Sequence, residues 1–104
     1  MSAEVETTLK RIQSHRGVQG IVIANHHGSV LKTTMTEEMG NKYGSLLSIL
    51  AVKAKSVVRQ IEERSELTFL SLKTTENEIM VSVDLNNKYL LIVVQDAKTE
   101  NPEA

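Results

Sequence analysis

His26 and His27 are the only adjacent histidines in the chain, in the elbow Asn25-His26-His27-Gly28. Imidazoles side by side invite two chemistries, metal ligation and proton transfer. Zinc takes three or four ligands held by a second shell of hydrogen bonds. The elbow offers no acid to complete such a set, so a solvated turn is expected and no metal or cofactor. Gly17-Val18-Gln19-Gly20 matches the bare GxxG pattern of loops that grip a nucleic-acid backbone. Those loops join two helices, whereas this one stands between a helical pattern and an apolar run. Lys53, Lys55 and Arg59 form a basic run that reads as a solvated helix face. Serines are plentiful, yet no G-x-S-x-G elbow, G-x-G-x-x-G turn or phosphate-binding Walker loop occurs. Glu62-Glu63 look like helix-end charge. No catalytic residue is assigned, and the expectation is a protein that binds or assembles.

The composition agrees. Twelve basic and thirteen acidic residues give a net charge of −1, without the basic excess of a polyanion binder. Without cysteine there is no disulfide framework, thiolate nucleophile or cysteine zinc site. The start, MSAEVETTLKR, lacks a signal-peptide core, and Ser2 stands where myristoylation needs glycine. The apolar run YLLIVV is far too short for a membrane span. These features predict a cytoplasmic protein that binds no nucleic acid and does not insert into membranes. At 104 residues one domain is expected, over residues 1–96, with a polar tail at 97–104.

The elements that position these residues follow from periodicity. Ser2 can cap a first helix whose stripe is Val5, Leu9 and Ile12, with Gly17 as its stop. VQGIVIA is apolar on both alternating sets, as in a strand covered on both sheet faces. With SVLKTT it forms a hairpin around the elbow. A long helix spans roughly residues 38–61, with Tyr43, Leu46, Leu47, Leu50, Ala54, Val57, Val58 and Ile61 as its main stripe. Ile49 and Val52 fall off that stripe and share a second face with Ser45 and Ser56, where another helix could dock. Three strands close the chain: ELTFLSLKTT, NEIMVSVD and a central KYLLIVVQ, the last two joined by a turn at Leu85-Asn86-Asn87. The order predicts a five-stranded antiparallel sheet with one helix on each face.

Four blocks in order carry a resemblance: VETTLKRIQSHRGVQGIVIAN, YGSLLSILAVKAKSVVRQI, LTFLSLKTTENEIMVSVD and YLLIVVQ. Together, from Val5 to Gln95, they are similar to the roadblock-type dynein light chains. The resemblance implies a profilin-like α/β/α sandwich that dimerises into a continuous sheet. It places the pairing strand at Leu67 to Thr74, with Thr68, Leu70 and Leu72 in the interface. It places the helix contact at Ser45, Ile49, Val52 and Ser56. It further implies a non-catalytic accessory light chain that binds the dynein intermediate chain, in the cytoplasm on microtubules or in an axoneme. The dimer would be a homodimer, or a heterodimer with a paralogue. Related proteins of the superfamily serve small GTPases, which supplies a second reading. A small-molecule-sensing domain of similar shape is a third, and it requires an apolar pocket. The turn KTTENE, with Lys73 its only cation, and the longer VDLNNKY turn depart from the family pattern.

Overall fold

The computed structural model describes residues 3–85 and 88–97. The expected cap at Ser2, the side chains of Glu4 and Val5, the turn at Asn86-Asn87 and the tail from residue 98 lie outside the described residues.

Helix α1 (Ala3–Gln13) leads into β1 (Val18–Asn25) and β2 (Val30–Thr33). Helix α2 (Glu37–Ile61) follows, then β3 (Phe69–Lys73), β4 (Asn77–Leu85) and β5 (Tyr89–Asp96). All strand pairs are antiparallel, in the order β2-β1-β5-β4-β3. The sheet has α1 on one face and α2 on the other, the α+β sandwich that the pattern predicts.

Alternation along β1 and β5 builds both cores. Val22, Ala24, Leu90, Ile92 and Val94 turn toward α2, where Leu47, Ala51, Val81 and Val83 join them. Ile21, Ile23, Leu91 and Val93 turn the other way, toward Leu9 of α1. This explains why the central run of each strand is apolar on both alternating sets: it is covered twice.

Helix α2 begins one residue before the expected start. Thr36 caps it by accepting the Met39 N–H at 3.2 Å, and Glu37 and Glu38 sit at its positive end. Its buried sector differs from the expected stripe. Gly40, Gly44, Leu47, Ser48 and Ala51 are buried, whereas Leu46, Val57 and Ile61 are exposed. The cause is the glycine pair. Gly40 and Gly44 let the helix backbone settle on Thr33 and Val30 of β2, which turns the small residues inward. Helix α1 ends at Gln13, earlier than Gly17, and Ser14 Oγ donates to the Arg11 carbonyl at 2.7 Å. Gly17, at φ 85°, makes the reversal into β1.

Candidate interaction surface

The chemically suggestive elbow proves to be a packed turn. Asn25 Oδ1 accepts the N–H groups of His27 at 2.9 Å and Ser29 at 3.0 Å, an Asx turn that closes the hairpin. Gly28 takes φ 92° and lies against α2, where a Cβ would stand 2.7 Å from Ser48 Oγ. His27 is exposed and His26 half-buried. Among the described residues, no three histidine or carboxylate side chains are grouped to hold a metal.

The GxxG reading dissolves the same way. Gly17 makes the turn, and Gly20 is buried in β1 beneath Met35, where a Cβ would come within 2.5 Å of Met35 Cγ. The basic run divides as well. Lys55 is half-buried beside Arg59, and Arg59 pairs with Glu66 at 3.4 Å. At about 100° per residue, Lys53 projects elsewhere. The Glu62 carboxylate accepts the Arg64 backbone N–H at 3.2 Å, a local helix-end contact.

What the surface does offer is apolar area on three features. The first is the outer face of α2. Ser45, Ile49, Val52 and Ser56 are all exposed there, Ile49 at 66% and Val52 at 58%. Leu46, 56% exposed, flanks this face about 60° round the helix from Ile49, whereas Ile61, 79% exposed, points away from it. Fully burying one such aliphatic side chain is worth about 1.5–3 kcal/mol. Ile49 and Val52 together, flanked by Leu46, therefore favour a partner.

The second feature is β3, an edge strand with one neighbour. It is shorter than the expected Leu67 to Thr74, because only Phe69–Lys73 pair with β4. Thr68 precedes the strand and is exposed, and its carbonyl accepts the Val83 N–H at 3.1 Å. Leu70 and Leu72 are half-buried against the α2-side core, so they brace the strand from behind. The edge itself is presented by the backbone.

The third feature was not anticipated. Helix α1 is short and packs over β1, leaving the β3–β4 side of the sheet open on that face. A trough of about 340 Å³ results, floored by Met80, Leu91 and Val93 and walled by Ile12 and Phe69. The signal was present in the sequence: an eleven-residue helix cannot cover five strands, roughly 24 Å across at about 4.8 Å per strand.

The Roadblock/LC7 domain model matches residues 4–96. The chain belongs to the Roadblock/LC7 domain family. A Roadblock/LC7 domain from Streptomyces avermitilis superposes with TM-score 0.78 at 13% identity, covering 86% of this chain and 75% of that one. MglB from Myxococcus xanthus gives 0.75 at 10% identity, over 96% and 81% of the two chains. A further MglB structure, with a tetrameric arrangement, gives 0.74 at 12% identity, over 92% and 75%. These likenesses establish a shared fold. Roadblock/LC7 domain proteins are generally non-catalytic regulators or adaptors, and no enzyme family is indicated.

Proposed function

We propose that this Roadblock/LC7 protein is a non-catalytic accessory light chain of a dynein motor. It acts as a dimer that holds a segment of the dynein intermediate chain and helps couple the motor to cargo for microtubule-based transport. The observation that carries the reading is the unpartnered apolar surface of α2 together with the open β3 edge. A two-fold copy covers both at once, because each is self-complementary. Phe69, 53% exposed, stands at the β3 edge of the trough. Pairing through β3 therefore brings two troughs together into one composite surface. An amphipathic segment, ordered on binding, suits that surface. The four sequence blocks support dynein as the source of the segment. The proposed location is the cytoplasm, on microtubule-associated or axonemal dynein.

A second reading is a regulator or scaffold of a small GTPase. The solved relatives described above support it, since they include MglB proteins and no dynein chain. Structural comparison leans toward this second reading and the sequence blocks toward the first. Affinity capture with mass spectrometry separates them. Intermediate chain should be recovered under the first reading, and a GTPase under the second. Titration of an intermediate-chain peptide onto wild type, Ile49→Asp and Phe69→Ala then tests the site. Equal affinity for all three rules out a composite, trough-based surface.

A further inference from the structure

The stretch Leu9-Lys10-Arg11-Ile12-Gln13-Ser14-His15-Arg16-Gly17-Val18 carries α1 into β1. Among the arginines of the chain, Arg11 alone has a serine or threonine three residues after it, and that residue is Ser14. Leu9 stands five residues before the serine and Val18 four after it. No acidic residue occurs from Thr7 to Thr36. A cation-directed serine/threonine kinase reads this arrangement. Its acidic cleft takes the guanidinium, and apolar pockets take the flanking side chains. Ser45 and Ser56 have only a lysine at the arginine's distance, Lys42 and Lys53, and both serines lie inside α2.

Ser14 is exposed one residue past the end of α1, with Lys10, Arg11, His15 and Arg16 exposed around it. Its Oγ donates to the Arg11 carbonyl at 2.7 Å, and its N–H donates to the Lys10 carbonyl at 3.2 Å. A kinase takes its substrate extended, whereas Leu9 is 4% exposed beneath the helix. The helix must therefore leave the sheet before the motif can be read. Its hold is slight. Leu9 is the one fully buried residue among those described in α1, Ile12 is half-buried, and Glu6 pairs with Lys32 across a partly exposed contact. A terminal helix held this lightly opens well below the free energy of global unfolding.

We propose that Ser14 is phosphorylated by an arginine-directed kinase when α1 lifts from the sheet, and that the phosphate then keeps the last turn of α1 open. In the transfer, Ser14 Oγ attacks the γ-phosphorus of magnesium-bound ATP. The bond from that phosphorus to the bridging oxygen breaks, ADP leaves, and the hydroxyl proton passes to the base of the kinase. The modified oxygen has no proton left for the Arg11 carbonyl. A charge of about −1.5 to −2 also faces carbonyls at the negative end of the helix. Arg11 and Arg16 offset part of that charge without restoring the carbonyl's donor. Ile12, His15 and Val18 line the trough, so opening the last turn takes down one of its walls. This consequence rests on the docking reading above, whereas the modification itself does not.

The full chain, incubated with magnesium ATP and a calmodulin-dependent kinase freed of its regulatory segment, tests the site when the phosphate is mapped by mass spectrometry. Ser14 should be modified first, and Ser14→Ala should take up little. Arg11→Gln should slow the rate by roughly tenfold or more, and Arg16→Gln by less than about threefold. Leu9→Ala and the milder Lys32→Met should be modified faster than wild type, because each loosens α1. Uptake at other residues alone, an Arg11→Gln rate equal to wild type, or no uptake on Ser14 in any chain that keeps it overturns the site. Equal rates in wild type, Leu9→Ala and Lys32→Met overturn the need for α1 to lift. In the phosphorylated chain, amide exchange should quicken over residues 9–16 and stay unchanged in β4 and β5. Exchange unchanged throughout overturns the opening of the last turn. An intermediate-chain peptide should bind the phosphorylated chain more weakly, and equal binding to both forms overturns the effect on the trough. A peptide that binds neither form overturns the docking reading and leaves Ser14 standing.

Discussion

Gly44 and Val30 touch so closely that a Cβ on the glycine would stand 2.9 Å from Val30 Cγ2. The Gly28 carbonyl oxygen would lie at 3.2 Å on the same site. Alanine is the better helix former by about 1 kcal/mol. Overpacking against a stiff valine and a backbone carbonyl costs roughly 1–3 kcal/mol. Gly44→Ala is therefore expected to lower stability by about 1 kcal/mol, measured by urea unfolding. A stabilised variant would show that α2 can lift off β2 freely.

Ile49→Asp probes the outer face of the same helix. Ile49 is exposed in the single chain, so the charge costs the fold little. Buried unpaired in a dimer it costs several kcal/mol. Sedimentation should show a monomer with a native circular dichroism spectrum. A fully retained dimer would remove Ile49 from the contact.

The elbow provides a matched pair of variants. His26→Ala/His27→Ala should change stability by no more than about 0.5 kcal/mol, as surface turn substitutions do. Asn25→Ala should cost about 1 kcal/mol or more, because its side chain satisfies two backbone N–H groups. Denaturant midpoints compare the two directly, and a larger loss from the histidines would give the elbow a role beyond its turn.

Acid should weaken the link between α1 and β2. Lys32 Nζ donates to Glu6 Oε1 at 2.6 Å, and this hydrogen bond, helped by the lysine's charge, holds the Glu6 carboxyl below its ordinary value of 4.5. A lowered folded-state pKa gives stability that is present above the ordinary value and lost as pH falls through the lowered one. The difference between wild type and Lys32→Met should thus be full at neutral pH and vanish in strong acid. It should also shrink in high salt, since the pair is partly exposed. A pH-independent difference would assign the effect of Lys32 to packing.

The residues that announced the fold were those with one dominant environment. Every apolar position of VQGIVIA and YLLIVV implied cover on two faces, and both strands are buried on two faces. The long helix was read less well because periodicity counts only apolar side chains. Two glycines and a serine form much of its buried sector, and hydropathy gives them no weight. Leu46, Val57 and Ile61 were consequently assigned inward when they face out. That Ile49 and Val52 lie outside the buried sector was legible because those residues broke the stripe. The trough was missed because it depends on how far α1 extends across the sheet, a matter of tertiary coverage and not of pattern.

The two edges of the sheet are unlike, and this bears on whether growth through strand pairing can continue. Strand β2 is only four residues long and carries Lys32, pinned by Glu6, on its outward run. Short, charged edges are poor templates for a further strand. If β3 joins β3 about a two-fold axis, the only strands left at the rim are two copies of β2. The assembly then terminates at ten strands, a closed particle instead of a fibre, and its finite size follows from one lysine-bearing strand at each end.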